Sequence, residues 1–156
     1  MKWISQDIEK FLQSKEYVDT AVLPLLPVSL GNDMKQSASM SEFISLLSVQ
    51  LERQFRGRVM MLPGFSYLKS ATLDKHNEDI RVWEDELFAN GFRHVFHVTS
   101  DSSWKGIEDR LNGSLIWLPS IPLEHLEERN RISILEDQVK QLLTLFMQKW
   151  ENGESR

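Results

Sequence analysis

The sequence contains no cysteine, and this absence removes several classes of function at once. Disulfide frameworks, thiolate metal sites, Cys-x-x-Cys redox chemistry and cysteine nucleophiles are all excluded. A secretory leader is not expected either, because Asp7 and Glu9 stand where a signal peptide needs its apolar core. Together these features predict a cytoplasmic location.

Long apolar runs and basic patches are also missing. No apolar run approaches the roughly 18 residues of a membrane-spanning helix, so we expect no membrane partner. The net charge is −5, and no four consecutive residues are Lys or Arg. This balance argues against a phosphate backbone or an anionic lipid surface as the main partner, and we expect no nucleic acid.

Glycine is scarce, and its distribution excludes the common phosphate-binding motifs. All seven glycines are isolated, so neither G-x-G-x-x-G nor G-x-x-x-x-G-K-[ST] occurs. The G-x-S-x-G and H-E-x-x-H motifs are absent as well. We therefore expect no cofactor. These absences remove common enzyme families but leave open whether the protein is an enzyme.

Four short apolar runs predict buried β-strands, at residues 18–23, 58–62, 94–99 and 114–118. They show little alternation, as is typical of strands covered on both faces. Helical patterns lie between them, which predicts parallel crossovers and a three-layer α/β sandwich with about five helices. We expect a single domain over residues 1–156, with strand order 2-1-3-4 by analogy with doubly wound folds.

Three of these runs end in the dipeptide Leu-Pro, at Pro24, Pro63 and Pro119. Proline cannot donate a hydrogen bond to a β-ladder and belongs at strand ends. The pattern therefore predicts that three strands stop at one level, at the carboxyl edge where open α/β sheets bind ligands. The alternative is that proline only marks the ends of the strands.

Capping residues and apolar stripes predict where the helices begin and end. The first helix is expected after Ser5, and it buries Ile4, Ile8, Phe11 and Leu12. The second runs from Ser39, which forms a capping box with Glu42, to Gly57, and two more are expected at residues 78–90 and 102–111. The last runs from Ile132 to Trp150, with Ser133 and Glu136 as a second capping box. Residues 122–131 form either a separate short helix or part of the last one. Trp3, Trp83 and Trp117 are interpreted as packing anchors.

The candidate ligand-binding residues lie at the predicted carboxyl edge, and they are Asp33, Tyr67, Lys69, His97, Thr99 and Ser100. The loops at residues 29–39 and 63–77 open onto this edge, and long loops in compact domains are usually functional or disordered. In this interpretation His97 is a base, Lys69 binds an anion and Tyr67 stacks on a ligand.

Each of these residues also has a structural interpretation. His97 can be a buried side chain bonded to a neighbour, and Ser100 with Asp101 can cap the following helix. Phe65 and Tyr67 can fold back into the core. His94 and His97 are predicted on opposite faces of a strand and so share no metal, while His76 and His125 are expected at the surface.

Three stretches of the sequence are distinctive: MKWISQDIEKF, KEYVDTAVLPLLPV and LPGFSYLKS. On these stretches the whole chain resembles the YpiF family of small proteins from spore-forming Gram-positive bacteria and their relatives. The resemblance implies a cytoplasmic bacterial protein. It implies no activity and no site residues, because the function of the family is unknown.

Two functional hypotheses follow. The first is a non-catalytic interaction or regulatory module with a protein partner, which predicts an exposed aromatic patch near Trp150 or around Phe65 and Tyr67. The second is a protein or enzyme that binds a small molecule, such as an anionic metabolite, at the carboxyl ends of the strands. It predicts a pocket on which the candidate residues converge.

Overall fold

The structure is a computed structural model that describes residues 1–153. In chain order its elements are α1 (Ser5–Gln13), β1 (Thr20–Val28), α2 (Met34–Gln54), β2 (Val59–Met61), β3 (Phe65–Leu68), α3 (Leu73–Ala89), β4 (His94–Thr99), β5 (Ser114–Trp117) and α4 (Glu128–Asn152). Two 3₁₀ segments, Lys15–Tyr17 and Ser102–Arg110, lie before β1 and after β4.

The strands form one parallel sheet with β1 near its centre. The neighbours along the sheet are β2, β1, β4 and β5, and β3 also pairs with β1. With β3 left aside, this is the predicted order 2-1-3-4, so the predicted α/β fold is confirmed. The predicted loop at residues 63–77 is wrong, because it contains β3 and the start of α3.

The prediction that Leu23-Pro24 ends the first strand is wrong, since β1 runs through both prolines to Val28. The partner strand adapts instead. Val22 pairs with Met61 and Leu25 pairs with Phe65, so two residues of β1 face three residues, 62–64, of the partner segment. Pro24 has no N–H to offer at this point, so the break in pairing lies opposite it.

Gly64 makes this break sterically possible. Its φ is +116°, and a Cβ added there would lie 2.9 Å from Cδ1 of Leu26. Only glycine adopts this conformation without strain at such a close approach. The chain can therefore leave the sheet after β2 and rejoin the same side of β1 as β3.

Helices cover both faces of the sheet, which completes the three layers. On one face α2 and α4 pack around a core that includes Phe43, Phe96 and Phe146. On the other face α3 and the segment Ser102–Arg110 bury Ile80 and Trp104. Because both faces are covered, β4 is buried at every position.

Two helix starts differ from the capping-box predictions. α2 begins at Met34 rather than Ser39, because the Met-Lys-Gln sequence before the box has high helix propensity and extends the helix. α4 begins at Glu128 rather than near Ser133, with an acidic side chain favourably placed in its first turn. One helix therefore covers residues 128–152, and residues 122–127 are not helical.

One further predicted detail at a helix end is wrong. Gly57 does not close α2 in a left-handed conformation, because the helix ends at Gln54 with Phe55 as its cap. At the end of α4, Trp150 packs against the body, as expected for the stripe of this helix that faces the sheet, and does not form the exposed patch of the interaction hypothesis. Its Nε1 donates to Oγ1 of Thr20 at 2.8 Å, and the Arg58 guanidinium lies 4.0 Å from its ring.

α1 is attached to the body by few contacts. None of its residues is buried, and Ile4 and Leu12 are exposed rather than packed as predicted. Ile8 and Phe11 are partly buried, and Phe11 stacks on Phe92 with ring centroids 5.8 Å apart. α1 therefore lies at the side of the molecule, with a mostly polar outer face and with Ile4 and Leu12 exposed at its two ends.

Candidate functional site

The carboxyl edge of the sheet holds a buried hydrogen-bonded cluster centred on Asp101. The Tyr67 hydroxyl donates to Oδ2 of Asp101 at 2.6 Å and accepts from Nε1 of Trp104 at 2.8 Å. The ring of His76 packs on Tyr67, with centroids 4.7 Å apart. His76 is buried by these contacts, so its predicted surface position is wrong.

The backbone after β4 is fixed by the same carboxylate. Oδ1 of Asp101 accepts from the Ser103 amide at 3.0 Å and so caps the 3₁₀ segment, as the structural interpretation predicted. Thr99 donates to the Leu25 carbonyl at 3.3 Å and accepts from the Asp101 amide at 3.0 Å. Ser100 is buried beside them.

Ionisation in this cluster is set by its internal partners. Burial favours the neutral form of Asp101, but hydrogen bonds from Tyr67 and Ser103 and the charge of Lys69, 3.8 Å away, hold its pKa below its ordinary value. Burial and Asp101 raise the pKa of Tyr67 well above its ordinary value. The pair is therefore a neutral phenol on a carboxylate, and neither group is free to act as a base.

A groove of about 450 Å³ lies beside this cluster, at the ends of β1 and β3. Among its lining residues are Asp33 and Lys69, two of the six predicted site residues. Asp33 is exposed and hydrogen-bonded to Ser29, which lowers its pKa. Tyr67 does not line this groove, and its buried ring cannot stack on a ligand as predicted.

His97 lies apart from the groove and is completely buried. Its Nε2 is 2.9 Å from Oε2 of Glu84. The same carboxylate accepts from the amides of Asn112 and Gly113, at 3.1 and 2.6 Å. Burial opposes ionisation of Glu84, but the hydrogen bond and charge of His97 with these amides lower its pKa.

Gly113 allows this arrangement to close. A Cβ at that position would lie 2.8 Å from the Val95 carbonyl oxygen and about as close to Glu84 and His97. Glu84 therefore ties α3 to β4 and to the loop before β5. His97 belongs to this internal tie and has no route to a ligand at the edge.

A second groove, which the sequence did not predict, lies between α1 and α3. It has a volume of about 370 Å³, and its lining is mostly apolar: Trp3, Phe11, Met60, Leu62, Pro63, Trp83, Leu87 and Phe92, with Lys15, Glu86 and Asn90. Trp3 is 56% exposed and Trp83 is 41% exposed. Their interpretation as packing anchors is wrong. We call this surface the aromatic groove.

One feature of the sequence could have indicated the aromatic groove. The stripe of Trp3, Ile4, Ile8, Phe11 and Leu12 is more apolar surface than a short helix at the side of a sheet can bury. The signal at Trp83 was weaker, since tryptophan on a helix usually indicates core. Within residues 1–153, no group of three or more His, Asp or Glu side chains is placed to hold a metal ion.

Comparison with known proteins shows the family to which the chain belongs. Residues 9–150 match the family described as "Protein of unknown function (DUF2487)". The chain belongs to this family. It is also 39% identical over 152 residues to "Uncharacterized protein YpiF" of Bacillus subtilis (strain 168), a match that covers 96% of this chain and 98% of that protein.

This result confirms the resemblance to the YpiF family, whose description assigns no activity. No solved structure matches the chain significantly. The range matched to DUF2487 includes most of the aromatic groove, from Phe11 to Phe92, and the whole carboxyl edge, while Trp3 lies before it. Among the helices of residues 1–153, none is long and apolar enough to cross a membrane.

Proposed function

We propose that this protein is a non-catalytic interaction module and that the aromatic groove is the surface with which it binds another protein chain. One observation carries the proposal: two tryptophans, Trp3 and Trp83, remain 56% and 41% exposed to solvent on either side of an apolar groove. Water-exposed aromatic surface of this kind is unfavourable in an isolated protein, and tryptophan is enriched among residues that dominate binding energy.

The groove also has the form of a docking surface. Phe11 stacks on Phe92, so two partly buried aromatic rings hold α1 against the body and form part of the groove lining. A volume of about 370 Å³ accommodates a few inserted side chains of a partner. Lys15 and Glu86 add polar contacts, as expected for the rim of an interface.

The chemistry of the carboxyl edge supports a non-catalytic role. The side chains most suitable for proton transfer are buried: Tyr67 and Asp101 at the edge are bonded to each other, and His97, apart from them, is bonded to Glu84. A general acid or base needs to reach the substrate. We further propose that the partner is met in the cytoplasm, in keeping with the absence of cysteine.

Site-specific photo-crosslinking in the native cells tests the proposal. A photoreactive phenylalanine analogue replaces Val82, an exposed residue next to Trp83, and in a matched strain it replaces Leu30, an exposed residue at the carboxyl edge. We expect an adduct at position 82 that mass spectrometry maps to one segment of one protein. That adduct should disappear when Trp3→Asp is introduced.

Adducts with another protein or with a second copy of this chain both support the proposal. Equal labelling at positions 82 and 30, or no adduct at position 82, would show that the aromatic groove is not a binding surface. Circular dichroism of the purified Trp3→Asp protein serves as the folding control.

The carboxyl-edge groove supports a second candidate function, the binding of a small charged molecule. Asp33 and Lys69 line the same groove of about 450 Å³ and offer charges of both signs. The test is thermal unfolding with a panel of nucleotides, phosphorylated metabolites and amino acids. A stabilisation that Lys69→Ala removes and Lys35→Ala keeps favours this function, while a flat panel argues against it.

A further inference from the structure

We infer that the occupant of the aromatic groove is the same groove of a second copy of this chain, so that the protein is a two-fold symmetric homodimer. The inference rests on the proposed function, because it names the partner of that surface. It is carried by the extent of the exposed apolar surface and by the distribution of charge around it.

The exposed apolar surface extends beyond the two tryptophans. Four further apolar or aromatic side chains are exposed, and each lies within two residues of one that lines the groove: Ile4, Leu12, Tyr17 and Val82. With Trp3 and Trp83 they present on the order of 600 Å² per chain, given the sizes of such side chains. A standard interface buries roughly 800 Å² per partner, so the exposed apolar surface of each chain supplies most of its share of a standard interface.

The groove is electrostatically self-complementary. Lys15 follows α1 and Glu86 belongs to α3, so its two walls carry opposite charges. Within residues 1–153 neither side chain forms an ion pair. In a two-fold interface, Lys15 of each chain faces Glu86 of the other, so the dimer contains two such ion pairs.

The wider charge distribution favours the same pairing. Residues 1–17 contain three acidic and three Lys or Arg side chains, whereas α3 contains six acidic and two. Docking α1 of one chain on α3 of the other brings a neutral segment to an acidic helix and keeps the two acidic helices apart. Two chains of net charge −5 can therefore associate at this surface without strong repulsion.

Sedimentation equilibrium of the purified protein is the first test. We expect a mass of twice the 18.2 kDa of one chain at tens of micromolar protein. Trp83→Glu should lower the association constant by roughly 30-fold or more, as expected for a central tryptophan. Leu30→Glu, which adds the same charge to an exposed apolar position at the carboxyl edge, should leave the dimer intact.

Charge exchange provides a test that does not depend on how Trp83→Glu folds. Lys15→Glu brings two negative charges together at the contact with Glu86, and Glu86→Lys brings two positive charges together at the contact with Lys15. Each variant alone should therefore associate about tenfold more weakly. An equimolar mixture of the two should form a heterodimer, because one of its two cross-contacts joins two substituted side chains of opposite charge and the other joins the two original ones. A salt bridge within one chain could not produce this rescue.

A monomer at every concentration would overturn the inference, and so would a failure of the mixed variants to associate. If the photo-crosslinks at position 82 identify a different protein while the purified chain stays monomeric, the homodimer is wrong and the interaction module stands. If crosslinking and sedimentation are both negative, both proposals fail.

Discussion

The carboxyl edge and the aromatic groove differ in how their side chains are satisfied. At the edge, Tyr67, Asp101 and Trp104 are rich in functional groups, but these groups are buried and bonded to each other. In the groove, Trp3 and Trp83 have little reactive chemistry, yet they stay in contact with water. Unsatisfied surface, rather than reactive side chains, therefore distinguishes the better candidate site in this protein.

The physical reason lies in desolvation. A polar group that loses water must find a hydrogen-bond partner within the protein. In a dense polar cluster at the end of a buried sheet, the groups therefore bond to one another and are not available to a ligand. An apolar side chain that stays exposed to water cannot be satisfied by a hydrogen bond within the protein. It gains free energy only when another surface covers it.

The largest expected effect on stability comes from comparing a residue on the inner face of α3 with one on its outer face. Glu84→Ala removes the partner of the buried His97 ring and the acceptor of the part-buried amides of Asn112 and Gly113. We expect the free energy of unfolding to fall by about 3–5 kcal/mol, measured by urea denaturation. A loss below about 1 kcal/mol would show that the tie between α3 and β4 is not structural.

The adjacent residue on α3 provides the control. Asp85 is exposed and forms no ion pair within residues 1–153. Asp85→Ala should therefore change the free energy of unfolding by no more than about 0.5 kcal/mol.

A smaller effect is expected at the carboxyl edge. Tyr67→Phe removes one hydroxyl and leaves both Oδ2 of Asp101 and Nε1 of Trp104 without that partner. We expect a loss of about 2 kcal/mol in the free energy of unfolding, because two buried polar groups become unsatisfied. Tyr17→Phe, at an exposed tyrosine, should have no measurable effect. Equal effects of the two substitutions would contradict the buried network.

Much of the fold could be predicted from the sequence because it depends on local patterns. The run at residues 94–99 gave β4 with its full bounds, since a strand covered on both faces is continuously apolar. β3 was missed because its burial alternates, with Tyr67 inward and Ser66 and Leu68 outward, and because a proline and a glycine precede it. Its pairing depends on the break opposite Pro24, which only the tertiary structure reveals.

The site was harder to predict for a related reason. A sequence shows that His97 and Tyr67 have reactive groups, but not that Glu84 and Asp101 lie within hydrogen-bonding distance. It likewise shows a tryptophan at position 83 on an amphipathic helix, but not that the helix is at the side of the molecule. Burial and exposure are decided by neighbours that are distant in sequence.

The pH dependence of stability provides a finer test of the two buried carboxylates, Asp101 at the carboxyl edge and Glu84 in the tie between α3 and β4. Although burial opposes ionisation, hydrogen bonds and nearby charges hold the pKa values of Glu84 and Asp101 below their ordinary values in the folded protein. Their contribution to stability is therefore fully present above those values and is lost as the pH falls through the lower folded pKa values. We expect the free energy of unfolding to decrease from about pH 6 to about pH 3, and Glu84→Gln to flatten that slope. Asp85→Asn should keep it.

The smallest expected effect concerns the aromatic groove itself. If a second copy covers the groove, association stabilises the folded state and the Tm should rise with protein concentration, by about 2 °C per tenfold increase for a dimer of this size. Trp83→Ala should abolish this dependence while lowering the Tm of the dilute protein only slightly, because its side chain is already 41% exposed. Leu30→Ala should leave the dependence intact. A concentration-independent Tm for the unmodified protein would contradict the homodimer.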